Sequence, residues 1–440
     1  MYIKRIILKN IRGFKELDFD LTRGDGSYAG WTVFTGDNGS GKSALLKAIA
    51  VGLVGKETAR ALQPSFQGWI REGEKDALIQ IELVEGSDEE DFSIPLDAGE
   101  IRPSQTQLKI ELKKLGREIK LQDAGEYYHH PQEFPAIPGF EGIKGLWPLW
   151  FICGYGPFRR VFGASFDAAQ RMSATNIENF ITLFDESASL AEVDKWLRNL
   201  HHKSLEGNDE AYQNLRLLLE ILRDELLPNQ ITVNRVDSDG LWLKDGNGVE
   251  LAWSDMSDGY RTALALLADI LRHMISQYQN HWPYPLRPEN GSDGKPFIER
   301  SGVVLIDEID AHLHPEWQQK IGFWLKRHFP NIQFLVTTHS PIICQAADDN
   351  GLFVLPEPGS QDQPKALSKE EYSRVIASRP DTILLTSAFG LQNTRSPRAV
   401  EGRAEFAKLK SKSRAGAQLS PEEEARMGEL KIFGENEEEL

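Results

Sequence analysis

The sequence predicts an α/β protein, with a mixed-sheet lobe built around a phosphate-binding loop and a smaller helical lobe. Three observations carry that prediction. The apolar run Trp31-Thr32-Val33-Phe34-Thr35 leads into Gly36-Asp37-Asn38-Gly39-Ser40-Gly41-Lys42-Ser43 and then into the helix-like stretch Ala44–Ile49. A second apolar run, Val303–Ile306, ends in the carboxylates Asp307 and Glu308. Between them, from about 175 to 226, apolar residues recur at helical spacing.

The glycine-rich loop has the spacing G-x-x-x-x-G-K-S between a strand and a helix. Gly36, Gly39 and Gly41 let successive N–H groups curl toward one anion, and the helix start adds partial positive charge. The backbone from Asn38 to Ala44 is therefore the expected cradle, with Lys42 reaching the β- and γ-phosphates and the Ser43 hydroxyl ligating Mg²⁺. A chance glycine-rich turn is the competing explanation, and the flanking strand and helix weigh against it. The expected ligand is a nucleoside triphosphate, ATP with Mg²⁺.

Composition bounds the rest. The chain of 440 residues is long enough for two or three lobes. A net charge of −16 argues against unspecific coating of DNA, although a local basic groove is compatible with it. No apolar run approaches the roughly 18 residues of a membrane span, and no signal peptide is expected. Two cysteines, Cys153 and Cys344, make neither a disulfide scaffold nor a zinc cluster. A reducing cytoplasm, away from membranes, is the expected setting.

In chain order, Tyr2–Leu8 and Leu17–Leu21 read as an N-terminal hairpin with Arg12 at its turn. Arg12 reads equally as a surface arginine or as a guanidinium for phosphate. Strands are expected around Leu78–Val84, Gln107–Lys113 and Glu118–Leu121. The run Trp147–Tyr155 reads as a buried strand, and Arg159 and Arg160 beyond it as phosphate or partner contacts or as a solvated loop. Ile177, Phe180, Ile181 and Phe184, then Leu190, Val193, Trp196, Leu197 and Leu200, then Leu215, Leu218, Leu219, Leu222 and Leu226 mark helical core faces. No heptad pattern persists, so no long coiled-coil arm is expected. A hairpin over Ile231–Val236 and Leu241–Lys244 follows, and Ser257-Asp258-Gly259 opens a helix over Thr262–Ile275, a second place for an anion. The segment from 280 to 301 reads as a surface insertion.

The carboxylates Asp307 and Glu308 end a buried strand, which puts them at the sheet edge that carries the phosphate loop. Asp307 would hold Mg²⁺ through water, and Glu308 would polarise the attacking water. The strand Ile332–Val336 ends in Thr337-Thr338-His339-Ser340-Pro341, and His339 there can hydrogen-bond the γ-phosphate or that water. The expected division is 1–160 and 278–356 for the ATPase lobes, 161–277 for the helical lobe, and 357–440 for a docking region.

Together these motifs resemble the ABC-type ATPases, specifically the SMC/RecF/OLD-like branch. The resemblance covers 1–60 and 250–356, through Leu8–Phe14, Ser257–Arg261, the run Asp307–Pro315 and His339. It implies a homodimer, or a higher oligomer, with composite ATP sites: ATP on the loop of one copy, closed by Ser257 and Gly259 of the other, with Asp310 near the seam. It also implies that Arg12 contacts nucleotide. The signature carries Asp258 and Tyr260-Arg261 where other residues are usual, and no glutamine marks the metal-sensing loop near Tyr155-Gly156.

The Tyr155–Arg159 run and the short arms resemble the ATPase of Septu-type anti-phage systems, which implies an ATPase that regulates a separately encoded nuclease of the HNH or TOPRIM type. After His339 no acidic TOPRIM core or H-x-x-x-N cluster is evident, so the nuclease is expected in trans. The tail, with apolar Ser378–Leu385 and Ala388–Leu391, basic residues from Arg403 to Arg414 and an acidic end Glu435–Glu439, reads as a docking segment or as solvated charge. A repair or recombination ATPase acting on DNA is the alternative. A transporter subunit fits the motifs less well.

Overall fold

The computed structural model describes residues 1–84, 105–123, 151–161, 177–281, 289–291, 294–360, 362–416 and 418–434. The expectations for Trp147–Trp150, for parts of the 280–301 segment and for Glu435–Glu439 lie outside the described residues. The chain forms two compact units, Met1–Ile383 and Leu384–Leu440.

The first unit carries two large sheets. Strands β1 (Tyr2–Ile11) and β2 (Phe14–Asp20) form the expected hairpin, and β3 (Gly30–Thr35) leads into the phosphate loop. Next come β4 (Asp76–Val84), β5 (Gln105–Leu115), β6 (Glu118–Asp123) and β7 (Phe151–Tyr155). Five of these make an antiparallel sheet in the order β2-β1-β4-β5-β6. Along β4 the buried Ala77, Ile79, Ile81 and Leu83 alternate with the partly exposed Leu78, Gln80 and Glu82, as a sheet with one covered side requires.

A small antiparallel sheet is built from β8 (Thr232–Asp237), β9 (Gly240–Lys244) and β10 (Glu250–Ala252), and a two-residue ribbon from β11 (Glu289–Asn290) and β12 (Pro296–Phe297). The site is carried by β13 (Gly302–Ile306), β14 (Ile332–Thr337), β15 (Leu352–Val354) and β16 (Lys365–Ala366). With β3 and β7 they form a six-stranded sheet in the order β16-β15-β3-β14-β13-β7, parallel except at the β16 edge. Every residue of β7, β13 and β14 is buried, which is why these strands read as continuous apolar runs.

Register decides the function of this sheet. Ile306 lies opposite both Tyr155 and Val336, and Thr337 lies opposite Phe34. The carboxyl ends of β3, β14, β13 and β7 are therefore level, and whatever follows them shares one edge.

Helix α1 (Lys42–Leu62) follows the loop and contacts β4 and β5 of one sheet and β13 and β14 of the other. A Cβ at Gly52 would stand 2.8 Å from Ile81 Cγ1, so the helix approaches β4 as closely as only glycine allows. Ile49, fully buried, is one of the residues that fix the loop to this core, and truncating it to alanine would cost about 2–5 kcal/mol.

The helical lobe pairs helices Glu192–Leu205 and Asp209–Leu222, both packed on helix Asp258–His281. Asn208 caps the second by accepting from Ala211 N at 2.8 Å. A buried ionic cluster joins this lobe to the stretch after β7: Arg272 donates to Asp269 at 2.8 Å and to Glu178 at 2.5 Å, and His273 lies 3.2 Å from Asp269. Burial would raise the Asp269 pKa, but Arg272 and His273 win and hold it well below the usual carboxylate range.

Beyond β15, the strand β16 and helix Lys369–Ala377 belong to the first unit. The second unit is a helical hairpin, Pro397–Arg414 and Pro421–Gly434, in which Gly402 faces Phe433 and Leu430 is buried. The basic stretch lies on the first of these helices. Lys412 pairs with Glu423 at 2.6 Å, and Arg426 of the second helix pairs with Glu405 at 3.0 Å, so part of the charge is neutralised inside the hairpin.

Candidate functional site

The phosphate loop has the backbone its glycines anticipate. Gly36, Gly39 and Gly41 all have positive φ, and Gly41 (φ +99°) stands directly before α1. A Cβ on Gly41 would stand 2.7 Å from Phe14 Cζ, so the residue just beyond the N-terminal turn packs against the loop. Lys42 is buried, and its ammonium folds over the loop, donating to Gly36 O at 2.7 Å and Asp37 O at 2.8 Å. One of its three N–H donors is left uncommitted among the described residues. Burial lowers its pKa, and the charges of Asp307 and Glu308 oppose that shift, which places both carboxylates within electrostatic reach of the loop.

The carboxylate turn follows β13. Asp307 is fully buried, and its Oδ1 accepts from Thr337 Oγ1 at 2.5 Å. The same hydroxyl accepts from Glu308 N at 2.7 Å, so one threonine at the end of β14 braces both carboxylate residues. Asp307 N donates to Tyr155 O at 2.8 Å, tying the turn to β7. Glu308 is half-buried and left-handed at φ +46°. Thr338 donates to Asp310, and His339 stands exposed one residue later.

The residues present fit a hydrated divalent cation. Asp307 Oδ2 is buried with no partner among the described residues, an arrangement that costs free energy unless something else satisfies it. Ser43, in the first turn of α1, would contribute its hydroxyl, and Asp307 would hold the cation through water. Such an ion would neutralise phosphate charge there. Ser40 Oγ is likewise buried and unpartnered in the loop.

Thus Asn38, Gly39, Ser40, Gly41, Lys42, Ser43, Ala44, Asp307, Glu308 and His339 occupy one sheet edge. Arg12 is at its turn, with φ +49°, but its guanidinium lies 4.6 Å from the centre of the Trp69 ring, and no hydrogen bond joins it to the loop among the described residues. It is still close enough to Lys47 of α1 to help lower that lysine's pKa, second to burial. Ser257 is exposed immediately before helix Asp258–His281, and Gly259 backs onto the carboxylate turn, where a Cβ would stand 2.5 Å from His312 O.

Two residues that sequence reasoning did not assign are central here. Thr337 is one; a hydroxyl at the buried end of a parallel strand was the available signal. Arg159 is the other: buried rather than solvated, it donates to the carbonyls of the carboxylate turn.

A phosphate loop, a carboxylate pair and a histidine on one parallel sheet edge, backed by an antiparallel sheet and a helical lobe, define an ATPase head of the ABC class. The family described as "AAA domain, putative AbiEii toxin, Type IV TA system" matches residues 31–345, and the chain belongs to it. The chain is similar to the Septu protein PtuA of Bacillus mycoides (strain KBAB4), 27% identical over 397 residues, a match covering 89% of this chain and 45% of that one. It is 26% identical over 408 residues to the "Retron Ec83 probable ATPase" of Escherichia coli, covering 80% of this chain and 70% of that one. The Pyrococcus furiosus Smc head domain, solved with an extended coiled coil and bound to the C-terminal domain of ScpA, aligns at 17% identity with a TM-score of 0.46, covering 85% of this chain and 98% of that one. This chain thus spans less than half the length of the PtuA relative.

Proposed function

We propose that this chain binds and hydrolyses ATP with Mg²⁺ in composite sites between two copies, and that its nucleotide state regulates a separately encoded nuclease in anti-phage defence. The observation that carries the ATPase part is the convergence of Lys42, Asp307, Glu308 and His339 at the level carboxyl ends of β3, β13 and β14. Lys42 neutralises phosphate charge, Glu308 accepts a proton from water, and His339 hydrogen-bonds the γ-phosphate or that water. Ser257, exposed at a helix start, supplies a hydroxyl and backbone N–H groups to the nucleotide of the second copy. Arg12 contacts the nucleotide from the hairpin side.

Lys42→Ala should weaken ATP binding by about 100-fold or more, read with a fluorescent nucleotide. Glu308→Gln should bind ATP as the wild type does and hydrolyse it at least about 100-fold more slowly. Wild-type turnover in the Glu308→Gln protein would remove Glu308 from its role.

The regulatory part is supported by similarity to the Septu PtuA and retron relatives. ATP restrains the nuclease, loss of nucleotide releases it, and the C-terminal region from 357 onward serves as the docking segment. The test is pull-down and DNA cleavage with HNH or TOPRIM nucleases encoded beside this chain. DNA degradation by the purified chain alone, or unchanged regulation by a chain ending at Arg379, would refute it.

A further inference from the structure

Arg159 lies four residues beyond the end of β7 and is 3% exposed, so its guanidinium has exchanged water for protein. A buried guanidinium ordinarily meets a carboxylate. Here its hydrogen-bond partners among the described residues are main-chain oxygens. Nη1 donates to Gly156 O at 3.1 Å and Asp307 O at 2.8 Å; Nη2 donates to Glu308 O at 3.0 Å and, at longer range, to Ala311 O at 3.4 Å. Burial lowers its pKa to about 10 against the pull of Asp307, Asp310 and Glu308, so it is a cation at neutral pH.

Three of those four acceptors belong to the carboxylate turn, and that turn needs holding. Glu308 (φ +46°) and His312 (φ +66°) are both left-handed without being glycine, a conformation that persists only where the surroundings over-determine it. The two peptide groups of Glu308 are gripped from opposite sides. Its N–H donates to Thr337 Oγ1 at 2.7 Å and its C=O accepts from Arg159. With both neighbouring peptides fixed, the direction in which the Cα–Cβ bond of Glu308 leaves the main chain is fixed as well.

The strand β7 exit, where this fold class would carry a metal-sensing glutamine, thus holds an arginine that reaches inward to the base-bearing turn. Resting on the ATPase reading above, we propose that Arg159 is a positioning residue for hydrolysis: it holds the main chain of the turn so that Glu308 meets the attacking water.

The test uses the full chain with Arg159→Ala and Arg159→Lys, alone and with Glu308→Gln. A cavity lined by Phe158, Arg159, Arg160, Asp258 and His312 adjoins the site, so guanidinium ion can enter the space left by Arg159→Ala. ATP affinity should stay within about threefold of wild type while kcat falls about 100-fold for Arg159→Ala and about tenfold for Arg159→Lys. Guanidinium chloride, but not equal sodium chloride, should restore part of the kcat of Arg159→Ala. Added to Glu308→Gln, Arg159→Ala should cost less than about threefold more, because the two act through one group.

Unchanged kcat would overturn the proposal. So would joint loss of ATP binding and turnover in both variants, which marks a structural residue, or an effect that multiplies fully with that of Glu308→Gln. If the wild-type chain fails to hydrolyse ATP, the ATPase reading itself falls, an outcome separate from any behaviour of the variants.

Discussion

Thr337 offers the sharpest quantitative prediction. It is fully buried, and its hydroxyl makes two bonds at once, accepting from Glu308 N and donating to Asp307 Oδ1. Thr337→Val keeps the volume and removes the hydroxyl, leaving the part-buried Glu308 N–H unpaired and Asp307 with neither oxygen bonded, since Oδ2 already lacks a partner among the described residues. Each orphaned group costs about 1–3 kcal/mol, and the pair about 2–4 kcal/mol after local relaxation. Unfolding entropy is about 2.1 cal/mol/K per residue, so for the unit Met1–Ile383 that loss corresponds to a fall in Tm of about 3–5 °C. Thr337→Ser keeps both bonds and loses one buried methyl, about 1 kcal/mol or about 1 °C. Scanning calorimetry on the two variants isolates the hydroxyl, and turnover should fall about tenfold only in the valine protein as the Glu308 peptide loosens. If Thr337→Val melts at or above Thr337→Ser and turns over normally, the brace is not what positions the carboxylates.

Two further outcomes follow from the seam and from the buried cluster. Ser257→Arg and Lys42→Ala should each be inactive, yet an equimolar mixture should recover about a quarter of the wild-type rate, because half of randomly paired dimers keep one of two sites; no recovery with both proteins folded would refute the composite site. Asp269→Asn should lower stability at pH 7 by about 3 kcal/mol, the lower end for a broken buried pair, because His273 loses its carboxylate while Arg272 keeps Glu178. The native Asp269 pKa is depressed, so its contribution is full above the ordinary carboxylate range and is lost as pH falls through the native value. Denaturant melts should therefore show the wild-type advantage narrowing on acidification, and an advantage unchanged down to pH 3 would contradict the linkage.

What was legible in the sequence follows from where the chemistry resides. The phosphate loop could be read because its function restricts residue types: glycine for positive φ, lysine for charge, serine for a hydroxyl. Continuous apolar strands ending in polar residues located the shared edge for a similar reason. Arg159 was not legible in the same way, because its acceptors are main-chain carbonyls, which any residue supplies; a solvated arginine and this clamp look alike in sequence. The pairing of β1 with β4 joins residues from Lys9 with Leu78 to Tyr2 with Val84, far apart in the chain, and depends on register. Other helices went unread although their cap signals stand in the sequence. Helix Pro315–His328 begins with a capping His314 and a proline in its first turn and ends in Lys326-Arg327-His328, and Ser368 with Glu371 forms a full capping box. Helix Pro397–Arg414 follows the capping Ser396.

The signature glycine shows why residue type and role must be argued separately. In a composite site, Gly259 is expected to face the nucleotide of the second copy, and its lack of a side chain would be attributed to that approach. Within one chain the structure already demands glycine there, since a Cβ would stand 2.5 Å from the backbone oxygen of His312, which ends the strained turn carrying Glu308. Backbone cannot yield as a flexible side chain can, so Gly259→Ala would push the helix start and the turn apart. Loss of hydrolysis in that variant would follow whether or not two copies pair. Ser257 is exposed and under no such internal demand, which makes its complementation with Lys42→Ala the experiment that speaks to the seam.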